Sequence, residues 1–230
     1  GKIPTIIENI PTKVVMYLIN AVYFKGMWTT QFDKKLTENR EFTFDDGRAK
    51  MHPLMKIRDH MPYLESDEFQ SVRLSYGDNE RLAMYVFLPK NLESFVKALN
   101  IREWDQWMSQ YHSIEGTILL PKFKMSYGKE LKDILSQMGM GIAFSDFADF
   151  SNIPKDNLAL CISAVEHKTF IEVNEEGTEA AAITSVGVGI TSVSPITTFY
   201  MEVNRPFFYV IRDCQTGEIL FMGIVQEPEI

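Results

Sequence analysis

The sequence predicts an α+β fold in which multi-stranded β-sheets carry a few surface helices and one long exposed loop. Three observations lead there. Runs rich in β-branched and aromatic residues recur along the chain and stop at Pro, Gly or polar turns. Apolar residues at helical spacing are confined to short stretches between Asn91 and Gly139. Finally, the segment 175–206 opens with small residues at a period of two, yet has no turn to pair it with a neighbour, so it suits loop or strand.

Taken in order, residues 14–24 (VVMYLINAVYF) are apolar at nearly every position and read as a central strand buried on both faces. Asn20 is the one polar interruption, and a buried amide needs a partner. Trp28 follows a Lys25–Gly26 turn. Residues 32–61 are polar and charged, with Asp45–Asp46–Gly47 as a turn between short strands. His52 and His60 lie among Met51, Met55 and Met61, but without Cys or a carboxylate at helical spacing they are assigned no metal.

Residues 82–88 and 117–120 read as strands, each closed by Pro. Between them, Asn91 caps a helix carrying Leu92, Phe95, Val96 and Leu99 inward. Asn100 with Glu103 opens a second, bearing Trp104, Trp107 and Met108. Leu131, Ile134, Leu135 and Met138 predict an amphipathic surface helix over 129–138 that Gly139 stops. Residues 164–174 form a long strand leading into the loop. Beyond it, 199–203, 207–211 and 219–225 are strands, the last two a buried hairpin around Gly217.

With 230 residues, 45% hydrophobic and 23% charged, the chain reads as one domain over 1–230. A net charge of -8 and the lack of a basic stripe argue against nucleic acid, and no run of about 18 apolar residues predicts a membrane span. Cys161 and Cys214 read as two buried free thiols rather than a disulfide or metal pair. No G-x-S-x-G, H-E-x-x-H, P-loop or Rossmann pattern occurs, so the chain does not read as an enzyme, and no cofactor is expected.

Six segments, in order, are similar to one known family. NEEGTEAAAIT (174–184) closely resembles the hinge of the serpins, the inhibitors of serine proteases. LINAVYFKGMW (18–28), LPKF (120–123), AVEHKTFIEVNEEG (164–177), VNRPFFYVI (203–211) and ILFMGIV (219–225) resemble serpin segments too. The resemblance implies a serpin fold with a mobile reactive loop, acting as an irreversible suicide-substrate inhibitor of serine proteases, extracellular or secreted. The alternative within the family is a non-inhibitory carrier or folding helper.

It also implies roles for particular residues. Glu175, Glu176, Gly177, Thr178, Glu179, Ala180, Ala181 and Ala182 match the hinge that inserts into the main sheet after cleavage. Asn20 matches a residue of a cluster where the sheet opens, His167 a partner on the adjacent strand, and Trp28 the cover of that point. GKIPTIIENI (1–10) resembles the end of the sixth serpin helix, which implies an N-terminal portion upstream or on a partner chain. Counting from the hinge places the attacked bond between Thr191 and Ser192, while counting back from Asn204 lands nearer Pro195. The hinge-side count is preferred, because the inserted strand must be long enough to carry the protease away. A Thr there offers neither cation nor aromatic ring, and suits elastase-like or subtilisin-like pockets.

Overall fold

The computed structural model describes residues 16–153, 160–178 and 198–230. They fall into two compact units: the described part of Gly1–Phe24 with Met125–Ile171, and Lys25–Lys124 with Glu172–Ile230.

In the first unit, β1 (Tyr17–Tyr23) supplies one edge of a three-stranded sheet. Next along the chain, β2 (Gly26–Met27) is followed by β3 (Glu38–Thr43), β4 (Ala49–Glu65), β5 (Phe69–Tyr76) and β6 (Leu82–Pro89). Helices α1 (Leu92–Ala98) and α2 (Ile101–Gln110) precede β7 (His112–Pro121) and β8 (Phe123–Glu130). After α3 (Lys132–Leu135) come β9 (Ala164–Val173), β10 (Gly177–Thr178), β11 (Phe199–Glu202), β12 (Phe207–Asp213) and β13 (Ile219–Val225).

The small sheet has the order β1-β9-β8. β1 runs parallel to β9, from Tyr17 beside Ala164 to Tyr23 beside Phe170. Where sequence predicts burial on both faces, β1 is largely exposed: Leu18 is 46% and Ile19 50% accessible. Pairing with β9 satisfies the backbone along one edge but does not cover the faces, which leaves these side chains accessible among the described residues. The expected helix over 129–138 is shortened for a related reason. Glu130 belongs to β8, Leu131 N–H donates to Val165 O at 2.9 Å, and this pairing keeps 129–130 extended. Helical backbone survives only in α3 and a wider turn over Ser136–Met140, with Ile134 and Met138 exposed. Gly139, at φ +103°, breaks the helical backbone inside that turn rather than ending it.

The large sheet follows β11-β7-β4-β5-β6-β12-β13, with β3 also on β4. Instead of short strands, residues 49–65 make one strand of 17 residues. It pairs in succession with β3, β7 and β5. The predicted turn before it is present, with Gly47 at φ +83° and Phe44 N–H bonded to Arg48 O. Both helix caps are as expected: Asn91 Oδ1 accepts from Ser94 N–H, and Asn100 Oδ1 accepts from Arg102 and Glu103 N–H. The helices cover an aromatic core that includes Phe69, Phe87, Phe95, Trp104 and Phe208.

β12 is buried almost throughout, but its hairpin partner β13 is mostly exposed because it is the outermost strand of the path. The predicted buried hairpin is therefore buried on one strand only. Both cysteines are free, as expected, yet half-buried rather than buried.

Candidate functional site

The loop leaves the fold through a turn fastened by its own backbone. Asn174 and Gly177 exchange two backbone hydrogen bonds, N–H to O at 2.9 Å and 3.2 Å. The Asn174 side chain closes the same turn, its Oδ1 accepting from Glu176 N–H at 3.0 Å and Gly177 N–H at 3.3 Å. Gly177 sits at φ +144°, and a Cβ there would lie 2.3 Å from Gly26 O and 2.6 Å from Met27 Cα. Only glycine fits this close approach. The chain then runs antiparallel to β2, Gly177 opposite Met27 and Thr178 opposite Gly26.

Trp28 holds this turn from the side. Its indole N–H donates to Asn174 O at 2.9 Å and its backbone N–H to Glu176 O at 3.0 Å. The ring stacks on Tyr76 with centroids 4.4 Å apart and meets Phe32 edge-on at 6.1 Å. Phe32 N–H in turn donates to Glu175 O. Thr178 has no accessible surface, and its hydroxyl lies 3.1 Å from the Tyr76 hydroxyl. Burial pushes the Tyr76 phenol far up, so it stays protonated and can donate to Thr178.

Two buried carboxylates tie the turn to residues 34–37 and to Lys122 between β7 and β8. Glu175, 5% exposed, accepts from Thr37 Oγ1 at 2.9 Å and pairs with Lys122 Nζ at 2.9 Å. Burial pushes its carboxyl up, but the Lys122 ammonium, a backbone amide and the Thr37 hydroxyl outweigh this and hold it below the usual carboxylate range. Glu176, 8% exposed, pairs with Lys34, whose ammonium is raised by that bond.

Of the residues singled out in the sequence, Trp28, Glu175, Glu176, Gly177 and Thr178 come together here. Glu179, Ala180, Ala181, Ala182, Thr191 and Ser192 lie outside the described residues. Asn20 and His167 are set side by side by the β1–β9 register. Asn20 is exposed rather than buried, because β1 is covered so little, and no side-chain hydrogen bond joins the two among the described residues. Sequence reasoning missed Tyr76, Phe32, Lys34, Thr37 and Lys122. Lys122 stands inside LPKF and was within reach; Tyr76 ends an ordinary alternating strand and carries no signal.

Residues 1–228 match the sequence model of one family, described as "Serpin (serine protease inhibitor)". Serpin-Z1A of Triticum aestivum is 36% identical over 235 residues, which cover 98% of this chain and 58% of that protein. The native thermophilic serpin Tengpin superposes with TM-score 0.84 at 32% identity, covering 96% of this chain and 58% of its own. Human thyroxine-binding globulin, solved as a complex with its ligand, gives TM-score 0.86 at 27% identity, over 98% and 59%. The chain spans under three-fifths of the length of each of these relatives.

Proposed function

The chain belongs to the serpin family, and we propose that it traps serine proteases as a suicide substrate through the loop that starts at Thr178. One observation carries this reading. The loop departs with Thr178 already buried and paired antiparallel to β2, so a strand has begun to form before any bond is cut. The protease serine attacks the Thr191 carbonyl, forming an ester as Ser192 becomes a new amino terminus. The freed segment then lengthens the strand and enters the sheet, carrying the acyl-enzyme with it.

The seven registered pairs between β1 and β9 are the ladder that must part for the strand to enter. Thr178, Ala180, Ala181 and Ala182 are small, so entry meets no bulky or charged side chain on the buried face. The driving force is a native state that is kinetically trapped above the inserted one. A small uncharged residue at the attacked position favours elastase-like and subtilisin-like partners, and we place the encounter outside the cell.

The second reading is a non-inhibitory carrier, favoured by the similarity to thyroxine-binding globulin. Incubation with pancreatic elastase and with subtilisin separates the two. A trapping inhibitor gives a protease complex that survives boiling in detergent; cleavage with no complex selects the carrier.

A further inference from the structure

A groove of about 500 Å³ lies between α1, α2 and β5. Its floor is aromatic. Phe95 and Trp107 stack with centroids 5.5 Å apart, and Phe69 meets them edge-on at 5.4 Å and 4.9 Å respectively. The apolar part of the cluster is pinned by the core beneath, in which Phe69 and Phe95 are 4% and 7% exposed. Trp107 alone of the three is half-buried and shows surface to the groove.

The charged part of the lining has one sign. Glu68 and Glu103 both border the groove, and no Lys or Arg does among the described residues. Neither carboxylate takes part in an ion pair or accepts a side-chain hydrogen bond among those residues. The nearby Lys97 is engaged by Glu93 in an i,i+4 pair. An aromatic floor bordered by two carboxylates without an ion-pair partner among the described residues matches an apolar ring attached to a positive head, because ring faces and carboxylates both attract a cation.

We propose that this groove binds a small aromatic amine, its ring against Trp107 and its ammonium towards Glu68 and Glu103. The volume lies within the range of small-molecule sites, and the chemistry disfavours the isosteric carboxylic acid. Phenethylamine and phenylacetate are the probes, since they share a ring and differ in the sign of the head.

The test follows the Trp107 indole N–H resonance of the folded protein during titration, assigned through Trp107→Phe. Phenethylamine shifts it saturably, with at least about tenfold tighter binding than phenylacetate, a difference of one cation contact. The Glu68→Gln/Glu103→Gln pair, checked by its unchanged thermal unfolding, reduces that preference to about twofold or less while the ring still binds weakly. Equal binding of the two probes, no saturable shift at millimolar phenethylamine, or a preference that survives the double substitution overturns the proposal. So does tighter binding of a lysine-containing peptide than of phenethylamine, which makes the groove a protein-docking surface.

Discussion

Thr178 is the residue on which the proposed hinge rests. With no accessible surface and a hydroxyl bonded to Tyr76, it occupies a place where a charge has no partner. Replacing it by Arg costs several kcal/mol, about 3–5, in any state that keeps residue 178 buried. The intact protein escapes that cost by releasing residue 178 from β2, so strand entry has to bury the charge anew and slows until deacylation wins, and the proposed inhibitor becomes a substrate. The measurement is the number of inhibitor molecules consumed per protease trapped; an unchanged value for Thr178→Arg contradicts the strand register. Glu175 gives a second prediction. Its carboxyl is held below the usual range in the fold, so its contribution to stability is present above the ordinary carboxylate pKa and is lost as pH falls through the lowered one. Glu175→Gln leaves Lys122 and Thr37 less well satisfied, at about 1–3 kcal/mol near neutral pH. The variant and the parent converge in stability as the solution is acidified, which denaturant unfolding at a series of pH values detects. The resemblance to a known hinge made Thr178, Glu175 and Glu176 legible in the sequence. Their partners Tyr76, Thr37 and Lys34 were not, because residues 102 to 142 positions away along the chain leave no local pattern.

At the scale of elements, β1 illustrates how much a sequence pattern leaves open. Continuous apolar residues imply a strand covered on both faces, yet coverage depends on which layers pack over it, and Leu18 and Ile19 stay exposed among the described residues. Asn20, exposed on that strand, makes no side-chain bond to His167 among those residues. Asn20→Ala therefore changes the stability of this chain by no more than about 0.5 kcal/mol. A loss of about 2 kcal/mol or more in denaturant unfolding means that the amide is packed and bonded. The region after β8 shows the converse. Leu131, Ile134, Leu135 and Met138 satisfy helical spacing, but a hydrogen bond from Leu131 to β9 fixes the backbone just before them, and long-range pairing overrides a local pattern. Caps and turns fared better, at Asn91, Asn100, Gly47 and Gly217, because their chemistry is complete within a few residues.

For the whole molecule, the central claim is that the fold waits in a state it leaves once the loop is cut. The pieces on which that rests lie at the root of the loop: a turn only glycine can make, a buried Thr178 paired to β2, and two carboxylates engaged by Lys122 and Lys34. A kinetically trapped fold is recognised by the greater stability of the form it relaxes to. The most direct measurement is thermal unfolding of the protein before and after cleavage within residues 179–192, with the site read by mass spectrometry of the released fragment. The account predicts a fragment beginning at Ser192 and a cleaved form that unfolds at a markedly higher temperature than the intact one; a cleaved form that unfolds at the same or a lower temperature contradicts it.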